Sequence, residues 1–279
     1  MSDAAARPDD IKAHLANVQQ IAAIVGALRA LAAAHQREAR GHLAAVRAHG
    51  ATLGAALSTA LGAGGVWPEA GAAQGRLSIL IGAAQGFCGS HADRLAEAAR
   101  AEAAAGADLI VLGSRSCAAL AEIRAPLWQA EMATHAAQVP ELASRLADAL
   151  FEALAARPGL RVRLVYIDPG AGGAGPALLT PSLWPLEPSR FPPARGPGPL
   201  LSLPLPELIA DLIEEYVFSA LCEALMLGFA SENAARAEAM AGAQANIKRI
   251  AADLRAGWQR ARQEQMTTEL IELASGAAR

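Results

Sequence analysis

Three groups of residues have types and spacings that invite chemistry. Gln85-Gly86-Phe87-Cys88-Gly89-Ser90 follows a short apolar run and precedes a helical pattern, the place where a dinucleotide fold puts its phosphate-binding turn. The match fails in detail. The glycines read G-x-x-G rather than G-x-G-x-x-G, there is no G-x-x-x-x-G-K-[ST], and Gly113-Ser114-Arg115 stands where an acidic residue would hold a ribose. Gly86, Cys88 and Gly89 therefore read as a structural turn, and Cys88 with His91 three residues on is too common a pairing to define a nucleophile. His35, His42 and His49 fall at intervals of seven. On a helix that spacing separates them by about 10.5 Å along the axis, too far to share one ion, so they read as a solvated stripe. Asp211, Glu214 and Glu215 could pair as carboxylates for acid–base work, but they fit the solvated face of a helix better. No catalytic residue, cofactor site or metal site is expected.

The elements that would position these residues are dominated by two long helical stretches. All 16 prolines lie at or before Pro206, so the 73 residues that follow are free of the residue that breaks helix interiors. Leu205, Leu208/Ile209, Leu212/Ile213, Tyr216/Val217, Ala220/Leu221 and Ala224/Leu225 recur in steps of three and four. The stripe resumes at Ile247, Ile250, Leu254, Trp258, Ala261, Gln265/Met266, Leu270 and Leu273. One helix of that length runs roughly 100 Å, longer than a globular domain is wide, and needs a partner along its apolar face. The stretch from Asp10 to about Gly50 also lacks proline and carries a stripe at Ile11, Leu15, Val18, Ile21/Ala22, Val25, Leu28 and Leu31/Ala32. Both stretches have an alanine-rich patch, residues 22–34 and 230–245. With residue 50 set near residue 215 in an antiparallel pair, the two patches meet and let the axes approach closely.

Between the arms the texture changes. Arg76–Ile81, Asp108–Leu112 and Leu160–Ile167 read as buried strands, and Ala92–Ala105 and Pro140–Ala156 as helices. Residues 58–75 read as a glycine- and alanine-rich connection, and residues 168–206 as a proline-rich return with one or two short strands such as Pro176–Leu179. The expected fold is α/β plus coiled coil: a long antiparallel N- and C-terminal helical hairpin with a small α/β domain inserted. Its parts are residues 1–57 (N-terminal helix, the first nine frayed), 58–204 (α/β domain with connections) and 205–279 (C-terminal helix).

A formal charge of −3 argues against a general nucleic-acid binder. Three widely spaced cysteines make no disulfide framework, which fits a reducing compartment. MSDAAARPDD lacks the apolar core of a signal peptide, and no run of 18 apolar residues suggests membrane insertion. Charge is unevenly placed: residues 207–238 carry a net −6, residues 244–279 a net +2 and residues 10–50 a net +3. A basic far end suits acidic surroundings.

Ser231-Glu-Asn-Ala-Ala-Arg236, then Met240, then Arg260-Ala-Arg262-Gln263 and Met266-Thr-Thr-Glu269-Leu-Ile-Glu272-Leu-Ala-Ser-Gly276 follow, without a gap, the pattern S-E-x-A-A-R-x-x-A-M … K-A-R-Q-x-x-I-T-x-E-(I/L)-x-E-I-x-x-G. Gln85-Gly86-Phe87-Cys88-Gly89 is similar to a second pattern, R-G-L-C-G. In these motifs the chain resembles the gamma subunit of F-type ATP synthases. The resemblance implies a non-catalytic rotor: a central shaft inside a ring of three alpha and three beta subunits, its α/β domain at the foot against the epsilon subunit and the ring of c subunits. It implies a peripheral position on the cytoplasmic face of a bacterial inner membrane. It implies that Arg262, Gln263, Thr267, Glu269 and Glu272 contact the beta subunits. Nucleotide chemistry would occur in those subunits.

The departures are local. Where the family's first helix reads T-Q-K-I-T-K-A-M, this chain has Ile21-Ala-Ala23-Ile-Val-Gly26-Ala-Leu28, without either lysine, and the family's T-D-N becomes Gln244-Ala245-Asn246. Such changes fit a divergent gamma, of the kind found in alternative ATPases that some bacteria carry beside the main one. Two rival readings remain: a nucleotide-binding α/β protein with helical arms, and a free coiled-coil adaptor.

Overall fold

In the computed structural model, which describes residues 7–68, 71–120, 125–170, 175–195 and 200–276, the elements are α1 (Pro8–Gly62), β1 (Arg76–Ile81), α2 (His91–Ala104), β2 (Asp108–Leu112), α3 (Ser114–Leu120), β3 (Trp128–Ala130), α4 (Val139–Ala156), β4 (Arg161–Asp168), β5 (Ala177–Leu179), β6 (Ser182–Trp184) and α5 (Leu205–Gly276). A 3₁₀ turn, Ala136–Gln138, precedes α4. Residues 1–6 of the expected tail, residues 69–70 of the expected connection and the last three residues lie outside the described set. The chain divides into two compact units, residues 32–236 and residues 1–31 with 237–279.

The larger unit is built on a sheet of order β3-β2-β1-β4 with parallel pairing throughout. β5 and β6 both pair antiparallel with β4, so the sheet is mixed rather than parallel alone. Strand side chains alternate between two apolar layers. Leu77, Ile79, Ile81, Ile110, Leu112, Val162 and Leu164 face one core, shared with α4 and with residues of α1 and α5. Leu80, Leu109, Val111, Val165 and Ile167 face the other, under α2 and α3. Burial on both faces is why these strands read as continuous apolar runs instead of alternating ones. The unforeseen pieces, α3 and β3, are too short to carry a periodic signal, while β5 and β6 are the one or two short strands expected in the proline-rich return.

In this unit α1 and α5 run antiparallel: His35 stacks near Phe229, Arg47 bonds Glu223 at 2.6 Å, and Gly54 lies against Tyr216. Gly50 meets Ser219, four residues from the expected partner at 215, so the alanine patches are offset by about one turn from the register read in the sequence. Helix α1 continues to Gly62, not to residue 57. Leu57 and Ala60 are buried there, and Ser58 and Thr59 bond back to the carbonyls of Gly54 and Ala55, so polar side chains that suggested a loop are satisfied inside the helix. Trp67 then stacks on Phe191, which meets Tyr216 edge-on, fastening the proline-rich return onto the helices.

Helix α5 crosses β1 at Gly228. A Cβ built there would meet Ile81 Cγ2 at 2.4 Å, so only glycine lets the helix lie this close to the strand.

In the smaller unit, Gly26 and Arg29 of α1 meet Gln244 of α5, with Arg29 donating to Gln244 Oε1 at 2.9 Å. The buried positions Val18 and Ala251 lie eight residues before Gly26 and seven after Gln244, the relation an antiparallel pair requires. The stripe is displaced from expectation in places: Ala251 is buried and Ile250 exposed, and Ile21 and Leu31 face solvent while Ala22 and Ala32 turn inward. Small residues take the inner positions because the helices are close. One 18-residue window of α1 has mean hydropathy 1.3 and at most two charged residues, enough to cross a bilayer by length and composition alone; α1 is rich in alanine and pairs with α5 in both units.

Candidate functional site

Two features stand out, one buried and one exposed. The buried one begins on α5 with Glu232, Asn233 and Arg236, all at least nine-tenths covered. Charges are placed in such surroundings only with full sets of partners. The Glu232 carboxylate accepts the N–H groups of Ala84 (3.2 Å) and Gln85 (3.0 Å) and pairs with the Arg236 guanidinium one turn on. Arg236 also donates through Nε to the Gly86 carbonyl (3.2 Å) and through Nη1 to Asn233 Oδ1 (2.9 Å), and Asn233 donates to the Phe229 carbonyl. One helix turn of α5 thus grips the backbone of the loop that leaves β1.

This loop is the turn that resembled a phosphate cradle. Its N–H groups at Ala84 and Gln85 already bond a protein carboxylate, so the acceptor that a nucleotide would supply is built into the chain. Gly89 takes φ +55° and Phe87 φ +61°, and Phe87 is 72% exposed at the tip. Gly86 offers its carbonyl to Arg236. Cys88 is buried, with its thiol toward the Gln85 carbonyl at 3.6 Å and its own carbonyl accepting the N–H of His91. Burial, and then the Glu232 charge, push the Cys88 thiol up. Burial also brings the His91 imidazole down to about 4. A protonated thiol beside a neutral imidazole has no thiolate to attack with. Cys222, driven up to about 11 by burial and then by Glu215, and Cys117, driven up by burial, are equally unreactive types.

The exposed feature is the end of α5. Arg262, Gln263, Thr267, Glu269 and Glu272 all face solvent. Thr267 Oγ1 bonds the Gln263 carbonyl (2.9 Å), Gln265 bonds Glu269 (2.8 Å), and Arg262 and Glu269 lie two turns apart on one side. Met266, Leu270, Ile271 and Leu273 are 46–71% exposed, although the sequence stripe assigned Met266, Leu270 and Leu273 to the helix pair. The register explains the difference. Eighteen residues separate Gly26 from Pro8, and the same count from Gln244 reaches Arg262, so the described part of α1 has no residue to offer beyond that level. The histidines separate likewise: His49 bonds Glu215 (3.1 Å), His42 is exposed, and His35 lies against His135 and Phe229. Asp211 and Glu214 lie exposed on the solvent face of α5, with no acid–base partner among the described hydrogen bonds.

In the sequence Glu232 is one of the acids of residues 207–238 and, with Arg236, part of the Ser231–Arg236 pattern, with no partner for either in view. The signal was present, an opposite-charge pair four apart inside a stretch dense in alanine and leucine, but its backbone partners lie about 150 residues away.

Fold and site together define a class: a mixed α/β sheet domain whose first loop is locked to one of two long, paired helices, with a helix end that the described residues leave uncovered. The family model described as ATP synthase matches residues 8–278, and the chain belongs to the ATP synthase gamma-chain family. The gamma chain of Akkermansia muciniphila is 28% identical over 214 residues, 71% of this chain and 72% of that one. Those of Sulfurovum and Heliobacterium modesticaldum are 42% and 39% identical over 69 and 87 residues. These last two matches span only 23% and 30% of the relatives' own length. Among solved structures, a chain of the Euglena gracilis mitochondrial ATP synthase (OSCP/F1/c-ring) shares the fold with TM-score 0.64 at 15% identity, over 97% of this chain and 93% of that one. A chain of the Tetrahymena thermophila enzyme's central stalk and c-ring gives 0.60 at 17%, over 79% and 99%.

Proposed function

We propose that this chain is the central rotor shaft of an F-type ATP synthase or ATPase, a non-catalytic subunit that couples ion-driven rotation of a c-ring to conformational change in catalytic beta subunits. Family membership supports this, and the observation that carries it is the uncovered end of α5. A helix exposing Met266, Leu270, Ile271 and Leu273 beside Arg262, Gln263 and Glu269 needs an apolar sleeve with charged neighbours. A ring of alpha and beta subunits supplies one. Arg262, Gln263, Thr267, Glu269 and Glu272 are the residues we assign to contact with the beta subunits, Arg262 through bidentate bonds to carboxylates. The α/β domain would face the epsilon subunit and the c-ring, on the cytoplasmic side of a bacterial inner membrane.

The mechanism is differential contact. An asymmetric shaft presents a different face to each of three catalytic subunits. Each subunit's conformation, and with it its nucleotide affinity, shifts by the difference in contact free energy between its states.

Co-expression with the neighbouring alpha and beta subunits tests this. A tag on this chain should recover three alphas, three betas and one copy of the chain, with ATPase activity. Recovery of the chain alone, without activity, would overturn the reading. In the complex, Arg262→Ala and Gln263→Ala should each lower coupled turnover about three- to tenfold without loss of assembly; unchanged turnover would remove them from the contact surface.

A further inference from the structure

We propose that His35, Glu38 and His135 form a binding site for a divalent transition ion, with zinc the ion their donors suit best. His35 and Glu38 stand three apart on α1 and so share one face. His135, at the entry to the 3₁₀ turn before α4, comes up to them from another part of the same compact unit. One donor atom from each of the three side chains lies within 4.8 Å of the other two. Donors bound to one tetrahedral zinc are roughly 3.3 Å apart, given bonds of about 2.0–2.2 Å. Closing that gap takes a shift of at most about 1.5 Å, the size of a small torsional adjustment of the His135 side chain, which is exposed.

The surroundings hold the ligands. Gln138 Oε1 accepts the N–H (3.0 Å) and hydroxyl (3.0 Å) of Thr134 and the N–H of His135 (3.4 Å), which fixes the backbone that carries His135. The buried ring of Phe229 lies 5.7 Å from the His35 ring at 36°, and the His135 ring meets His35 edge-on at 5.3 Å and 80°, limiting how His35 can turn. Two imidazoles and one carboxylate are a nitrogen and oxygen set of the borderline kind that zinc takes, with a fourth position left for water. The site would fasten α1 to the loop ahead of α4, a crosslink between segments about 100 residues apart in sequence.

The test is equilibrium dialysis of the full-length chain against zinc chloride, with cobalt(II) as a visible reporter of coordination. One equivalent should bind at micromolar or tighter Kd, the cobalt form should absorb as a four- or five-coordinate nitrogen–oxygen site, and zinc should raise the unfolding temperature. His135→Ala, at an exposed position, and His35→Ala should each weaken binding at least tenfold and abolish the thermal shift. His42→Ala, one heptad along α1, should change neither. Absence of a bound equivalent, or unaltered affinity in His135→Ala, would overturn the site. Uptake of copper or nickel without zinc would overturn the choice of ion.

Discussion

At the scale of single residues, the pair Glu232 and Arg236 has the most to lose. Their side chains are only 4% and 9% exposed, and each has bonds that the other cannot replace. Removing one partner leaves a buried charge, so Arg236→Ala should destabilise the sheet-containing unit by about 3–5 kcal/mol, read as a lower denaturant midpoint. Glu232→Gln with Arg236→Met should cost less than either single truncation. His91 sets a pH dependence. Its imidazole titrates near 4 when folded and near 6.5 when unfolded, so the folded state binds fewer protons in that interval. The stability it supports is whole above about pH 6.5 and declines as pH falls toward 4, by up to roughly 3 kcal/mol. A His91→Leu variant should show a flatter slope of stability against pH between 6.5 and 4; an unchanged slope would mean another group titrates. The motif Ser231–Arg236 was visible in the sequence as a signature, but its work was not. A carboxylate that bonds backbone N–H groups leaves no trace at the residues it bonds, because any residue but proline has an N–H. The meeting of His35 with His135 was hidden for a related reason: spacing along one helix says nothing of a ligand arriving from elsewhere.

At the scale of elements, the sequence was most legible where one period ran long. The bounds Arg76–Ile81, Asp108–Leu112 and Leu205 as the start of α5 follow directly from apolar runs and from the last prolines. Of the three-residue strands, β5 was read from Pro176–Leu179 but β3 was not, nor was the last turn of α1, since neither pattern nor propensity accumulates over so few residues. Glycines in helices split into two kinds, which single substitutions should distinguish. At Gly26 a Cβ would meet only Gln244 at 3.8 Å, an ordinary contact. Gly26→Ala should therefore stabilise the helix pair by about 0.5–1 kcal/mol, seen as a higher melting temperature by circular dichroism. At Gly228 the added carbon would collide with a buried branch of Ile81, and Gly228→Ala should cost about 1–3 kcal/mol in the same measurement. Gly26 and Gln244, two of the positions where the chain departs from its family's pattern, are neighbours in the smaller unit. The Gln244 amide accepts a hydrogen bond from Arg29 there.

At the scale of the whole molecule, its partners determine which surfaces matter. An apolar helix end that the described chain does not cover predicts that truncation after Ala261 leaves the unfolding transition of the remainder within about 0.5 kcal/mol of the full chain while capture of alpha and beta subunits falls. Loss of the whole fold on truncation would mean that this end supports the chain internally. The crossing of α5 over β1 has a mechanical meaning of its own. A smooth helix resting on a sheet can roll about its axis like a log, because apolar contact has no preferred angle. Here a methyl of Ile81 sits in a notch at Gly228, and one turn further on a carboxylate is bonded to the main chain of the loop leaving that strand. Notch and bond together act as a key in a keyway: the helix cannot spin against the sheet at this crossing without breaking both.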